Sequence, residues 1–300
     1  MKMIMKIILC LLLLFFFPSA LRAAEPPSVV TTTADLAAIV KAVGGERVKV
    51  ESIAKGFQDP HYVEAKPSYM RLVNRARVLF FVGLQLEIGW LPLLVQGARN
   101  PSLVQVDLSQ GIAVLERPTG PISRAQGDIH PEGNPHYWLD PRNGVLMARR
   151  VAQELKPLAP ADGTYFEQNL KLFESDLSSR RQRWEERVAP LRGTEVVAYH
   201  KEWEYLAKWL GISIIDYVED KPGIPPSPRH LESLIQTMRQ RKVKALLVSN
   251  FTSPTIPQAV AEKGGTKMVV LPISVGGEKG IEGYGDLFDA IIGRLVEGLK

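Results

Sequence analysis

The stretch from Ala159 to Leu191, "APADGTYFEQNLKLFESDLSSRRQRWEERVAPL", constrains this chain most. Leu170, Phe173, Leu177, Trp184 and Val188 recur at helical spacing with charge on the other faces, so the segment reads as one long amphipathic helix. A flexible linker would be rich in Gly and Ser instead. What flanks the helix on each side is a strand–helix alternation. Upstream, Ser28 to Thr32 reads as a strand, Ala34 to Val43 as a helix closed by Gly44-Gly45, and Val48 to Ile53 as a strand. A helix from Pro67 and a buried strand through Val78 to Val82 follow. Downstream, "EVVAYH", "ISIIDYV", "VKALLVS" and "KMVVL" read as strands. Helices lie between them in "KEWEYLAKWLG" and from Pro228, where Ser227 is the cap, and a terminal helix starts at Tyr284. Strands alternating with helices argue for parallel sheets. The expected fold is therefore α/β: two parallel-sheet lobes, residues 25–160 and 191–300, joined by a single long rigid helix over 161–190.

Residues 1–24 carry the three parts of a secretory signal peptide: Lys2 and Lys6, the apolar run "IILCLLLLFFF", and the small-residue close "SALRAA". The uncharged core is short of the ~20 residues of a membrane span, which favours a cleaved leader over an anchor. The expected location is the periplasm. Lys2, Lys6 and Arg22 leave with the leader, so the net charge of +5 falls to +2, too small a surplus for a nucleic-acid binder. The one cysteine, Cys10, also lies in the leader and lacks the small residues that precede a lipoprotein cysteine. The mature chain thus has neither disulfides nor thiolate ligands.

Two of the five histidines share a frame, "DPHY" at Asp59 to Tyr62 and "NPHY" at Asn134 to Tyr137. Pro60 and Pro135 hold the preceding residues extended and stiffen each loop. His61 and His200 follow strands, where open α/β sheets bind ligands, and His136 lies at the border of the first lobe. Three imidazoles plus one oxygen make a familiar zinc set, while a loop histidine taken alone is as readily a hydrogen-bonded structural residue. His230, in the first turn of a helix, reads as structural, and His130 as a solvated loop residue with an auxiliary-ligand alternative. Trp90, Trp138, Trp203 and Trp209 read as core or cleft wall. Tyr62, Tyr137 and Tyr199, each beside a proposed ligand, are expected to fix the rings or exclude water.

The blocks "GFQDPHYVEAKPS", "GLQLEIGWLP", "GNPHYWLDPRNG", "YFEQNLKLFESDL", "VVAYHKEWEYLAKWLG" and "KPGIPPSPRHL" occur in this order across the mature chain. As a set they resemble the zinc and manganese solute-binding proteins of ABC importers, the ZnuA/TroA-like family. The resemblance implies a metal site in the inter-lobe cleft, a permease at the inner membrane as partner, and a monomer without enzymatic activity. Its ligand positions fall on His61, His136 and His200. The manganese branch has glutamate at the third position, and histidine there suits Zn²⁺ better than Mn²⁺. The family's fourth ligand, an aspartate twelve residues before the tyrosine of the last helix, falls on Pro272, which leaves Glu278, Glu282 or water as replacements. Imidazole ligands imply binding that weakens as pH falls through about 6 to 7. The alternatives are a periplasmic metal chaperone or adhesin on the same fold, and a three-histidine zinc hydrolase with Glu202 as general base.

Overall fold

The computed structural model describes residues 25–120, 127 and 130–300. The expected leader, residues 1–24 with Cys10, lies outside the described residues.

Among the described residues, eight short parallel strands form two sheets. In the first lobe β1 (Ser28–Thr31), β2 (Lys49–Ser52), β3 (Val78–Phe81) and β4 (Val104–Asp107) pair in the order β2-β1-β3-β4. In the second, β5 (Glu195–Ala198), β6 (Ser213–Tyr217), β7 (Ala245–Ser249) and β8 (Lys267–Leu271) repeat that winding as β6-β5-β7-β8. The helices are α1 (Ala34–Gly44), α2 (Pro67–Arg75), α3 (Leu91–Ala98), α4 (Pro141–Leu155), α5 (Gly163–Val188), α6 (Glu204–Leu210), α7 (Pro228–Arg241), α8 (Thr255–Gly264) and α9 (Tyr284–Gly298). Each sheet reverses its winding between its first and third strands, which puts a crevice at the carboxyl ends there.

Helix α5 has 26 residues and, at 1.5 Å per residue, spans about 39 Å. Its buried Phe166, Leu177, Trp184 and Val188 enter one apolar cluster that also holds Val29, Leu36 and Phe80 of the first lobe and Val196, Ile291 and Leu295 of the second. The core is thus continuous through the helix from one lobe to the other. Smaller clusters on the outer faces, around Val30 and Leu79 and around Val197 and Leu246, complete each sheet.

Polar bonds stitch the seam as well. Trp138 Nε1 donates to the Ile273 carbonyl at 2.9 Å, and Tyr284 Oη donates to the Trp138 carbonyl at 2.5 Å. The buried Asp35 of α1 accepts from Ser274 Oγ and, at 2.9 Å, from the Val275 amide. Burial lifts its pKa to about 6 against those hydrogen bonds. Gly56 lies against the Val275–Gly277 backbone so closely that a Cβ would collide with it.

Three elements have weak sequence signals. β4 is an edge strand with only Val106 buried, so it lacks an apolar run. α8 contains Pro257 in its first turn, and α3 is an eight-residue helix with no side-chain cap. Ahead of α3, Leu84 and Gln85 take the left-handed conformation (φ 51° and 65°). The buried carboxylate of Glu87 holds this turn by accepting from the Val82 amide, the Gly83 amide and Thr32 Oγ1.

Candidate metal centre

The sequence repeat proves to be a structural repeat. Asp59 Oδ1 accepts from both the backbone amide of His61 (2.9 Å) and its ring Nδ1 (2.7 Å). Asn134 Oδ1 does the same for His136, at 3.0 Å to each nitrogen. In both loops the residue two positions earlier closes a small ring around the proline and fixes the imidazole through Nδ1. His200 reaches the same state by another route. β5 and β6 pair in parallel with Ala198 beside Tyr217, so two residues further on His200 meets Glu219, and its Nδ1 lies 2.8 Å from Glu219 Oε2.

With Nδ1 donating in all three rings, Nε2 is the nitrogen each ring has left for a shared centre once that nitrogen is unprotonated. His61, His136 and His200 each offer a ligand atom, and these atoms lie within 4.8 Å of one another. Ring centroids are 5.2 Å apart for His61 and His136 and 5.9 Å for each of the other pairs. Ligand nitrogens on a tetrahedral zinc stand about 3.3 Å apart, so small ring rotations close the set. The donor set fits a borderline-soft divalent cation.

His136 and His200 are shifted in opposite directions. His136 is 1% exposed, and burial, then the neighbouring histidines His61, His200 and His130, hold its pKa well below the usual imidazole value. Burial acts the same way on His200. There the Glu219 hydrogen bond and the charges of Glu202, Glu219 and Asp59 outweigh it and lift the pKa to about 9. Glu202 is 1% exposed, and its Oε1 has no hydrogen-bond partner among the described residues. Burial first, tempered by His200, raises its pKa to about 7.

The presenting loops are tied to both lobes. Trp90 Nε1 donates to the Pro60 carbonyl at 2.9 Å. Asn134 Nδ2 reaches Glu204 Oε2 (2.9 Å), the Lys201 carbonyl (3.2 Å) and Glu116 Oε2 (3.2 Å), while Tyr205 Oη donates to the Asn134 carbonyl at 2.8 Å. A cavity of about 400 Å³ opens beside the cluster, lined by His130, His136, His200, Glu116, Lys201 and Lys221 among others.

The profile of the family described as "Zinc-uptake complex component A periplasmic" (ZnuA) matches residues 29–298. The chain belongs to the ZnuA family. Among curated relatives it is 26% identical over 275 residues to the metal ABC transporter substrate-binding lipoprotein FimA of Streptococcus parasanguinis. The match covers 88% of this chain and 86% of FimA. It is 25% identical, with the same coverage, to the manganese ABC transporter substrate-binding lipoprotein PsaA of Streptococcus pneumoniae. A crystal structure of ZnuA superposes with a TM-score of 0.78 at 23% identity, over 92% of this chain and 100% of that one, which shows the shared fold.

Several expected roles within this ZnuA-family chain are reassigned. The rings are oriented through Nδ1 by Asp59, Asn134 and Glu219, and Tyr62 sets its ring against that of His61 at a centroid separation of 6.1 Å. Tyr137 Oη donates to the Val82 carbonyl at 2.7 Å, and Tyr62 is 69% exposed. Glu278 is held by Arg294 and Asn250, and Glu282 is exposed, so neither carboxylate joins the histidine group. His230 bonds the Tyr217 carbonyl through Nε2 at 2.8 Å, a structural role as expected. His130 departs furthest from the sequence reading, for its Nε2 lies 3.3 Å from His61 Nε2. The four tryptophans lie in the buried core, with Trp138 against His136 at a ring separation of 5.2 Å.

Proposed function

We propose that this protein is a periplasmic carrier that captures Zn²⁺ through His61, His136 and His200 and delivers it to the permease of an ABC importer. The observation that carries this reading is the Nδ1 anchoring of all three imidazoles, which leaves three preset nitrogen donors at the seam between lobes. In this reading residues 1–24 are a removed leader, and the lobes 25–160 and 191–300 present the site across the helix 161–190 as a monomer. The relatives' names divide between manganese for PsaA and zinc for ZnuA. Imidazole favours zinc, since affinity at nitrogen sites rises from Mn²⁺ towards the end of the first-row series.

Glu202, the general base of the hydrolase alternative, is 1% exposed and its charge acts on His200.

Titration of the mature protein with Zn²⁺ and Mn²⁺ in competition, followed by metal analysis, is expected to give one bound Zn²⁺ and at least a tenfold preference over Mn²⁺. Equal or tighter Mn²⁺ binding would sink the zinc assignment. Absence of binding to either ion would sink the carrier reading.

A further inference from the structure

We propose that the second-lobe segment 273–277 is a clamp that sets the positions of His61 and His136, with Asp35 of the first lobe as its main hold; the inference rests on the carrier reading above. Neither Asp35 nor the segment belongs to the histidine group, so both are positioning elements that act through other residues. The segment meets the first lobe at three points. The Ile273 carbonyl accepts from Trp138 Nε1 at 2.9 Å, and the Trp138 ring lies 5.2 Å from that of His136. Ser274 Oγ and the Val275 amide both donate to the carboxylate of Asp35, which is fully buried. The backbone of Val275, Gly276 and Gly277 lies against Gly56, five residues ahead of His61 in the same loop. One short stretch of chain thus touches, from across the seam, the segments that present two of the three ligands.

A clamp must itself be stiff, and hydrogen bonds fix this one to its own lobe. The Gly277 amide donates to the Ser274 carbonyl at 3.1 Å and the Gly276 amide to the Ile281 carbonyl at 2.8 Å, with Gly276 at φ 71°, a conformation open to glycine. Glu278, the next residue, is held by Arg294 of α9 and by Asn250 Nδ2 at 3.2 Å. On the facing side, Asp35 stands in the first turn of α1, and the Thr32 carbonyl just before that helix accepts from the Ala54 amide at 2.9 Å. That bond ties the start of α1 to the loop of Gly56 and His61. The ligand atoms of the three histidines lie within 4.8 Å of one another and must close to about 3.3 Å on zinc, so a small displacement of either loop registers in affinity.

The test is the Zn²⁺ affinity, by chelator competition, of the mature protein and of its Asp35→Ala, Asp35→Asn, Gly56→Ala and Asp35→Ala/Gly56→Ala variants. Asp35→Ala leaves the Ser274 hydroxyl and the Val275 amide buried without their acceptor and is expected to weaken binding about tenfold. Asp35→Asn keeps an acceptor for the amide and a donor for the Ser274 oxygen, and is expected to recover most of that loss. Gly56→Ala, whose Cβ would meet the Val275 carbonyl, is expected to weaken binding too, and the double variant to bind no more weakly than the weaker single one, because both release the same clamp. Amide hydrogen exchange of the unaltered protein decides independently of whether a variant folds. Coupling is reciprocal, so zinc is expected to slow exchange of the Val275 amide more than that of Val243, which bonds the Met238 carbonyl just before β7, at the end of the sheet away from the site. Unchanged affinity in folded Asp35→Ala, no recovery in Asp35→Asn, additive losses, or equal slowing at Val275 and Val243 overturns the clamp and leaves the three-histidine carrier standing. If the unaltered protein binds no Zn²⁺, the carrier reading falls and the clamp with it.

Discussion

Replacing His136 by alanine is expected to weaken Zn²⁺ binding at least a hundredfold, a loss of about 2.7 kcal/mol. His136 is the most deeply buried of the three rings at 1% exposed, and burial keeps it neutral, so its lone pair is available without displacing a proton. Its orientation is set by Asn134, which is itself bonded to Glu116, Lys201 and Glu204. Water entering an alanine cavity has no such preset direction, and the remaining donors cannot close around the ion. His61→Ala and His200→Ala are expected to cost at least tenfold each. His230→Ala serves as control, for that ring bonds the Tyr217 carbonyl in the second lobe and should leave affinity unchanged. Calorimetric titration of each folded variant checks the set, and a His230→Ala loss equal to the others would mean that the site is misplaced.

Zinc affinity is expected to rise about tenfold per pH unit between pH 6.5 and 8.5 and to level off near 9, with about one proton released per metal bound. The cause is His200, whose pKa is lifted to about 9 because Glu219, Glu202 and Asp59 together outweigh its burial. Below that value the metal-free protein holds a proton on His200 that zinc must displace; above it the lone pair is already bare. His136, with its depressed pKa, adds nothing in this window. Ordinary imidazoles would give a curve already flat above about pH 7, as the sequence alone implies. Affinity measured by chelator competition across this range separates the two. Glu219→Gln should move the plateau downward towards pH 7 by removing the largest upward influence on His200. A plateau unmoved by that substitution would refute the role given to Glu219.

The repeat of D-P-H and N-P-H makes two of the three clustered histidines legible in the sequence, and its fuller meaning is in the letters as well. The residue two positions before each histidine is the one that fixes the ring. Of the neighbouring tyrosines, Tyr62 sets its ring against His61 while Tyr137 turns its hydroxyl to the Val82 carbonyl, a division that adjacency in the sequence does not reveal. Glu219 lies nineteen residues from His200, and only the parallel pairing of β5 with β6 brings them together. No local pattern could reveal that. His130 reads in the sequence as a solvated loop residue with an auxiliary-ligand alternative, and its approach to His61 depends on the turn at Gly133. The two lobes and the connecting helix were legible because apolar periodicity persists through them. β4 was not, since an edge strand with one buried residue has no period to display.

The seam between the lobes also sets the tempo of delivery. Parting them as rigid bodies would break the Trp138–Ile273, Tyr284–Trp138, Asp35–Val275 and Tyr205–Asn134 hydrogen bonds together. At about 1 kcal/mol net for each bond the parted form is populated roughly once in a thousand molecules, before the exposed core is counted. Handover by a clam-like gape would therefore idle on a rare excursion. A ligand ring that leaves the ion while the lobes stay together avoids that cost, so the bonds across the seam weigh against release by wholesale opening.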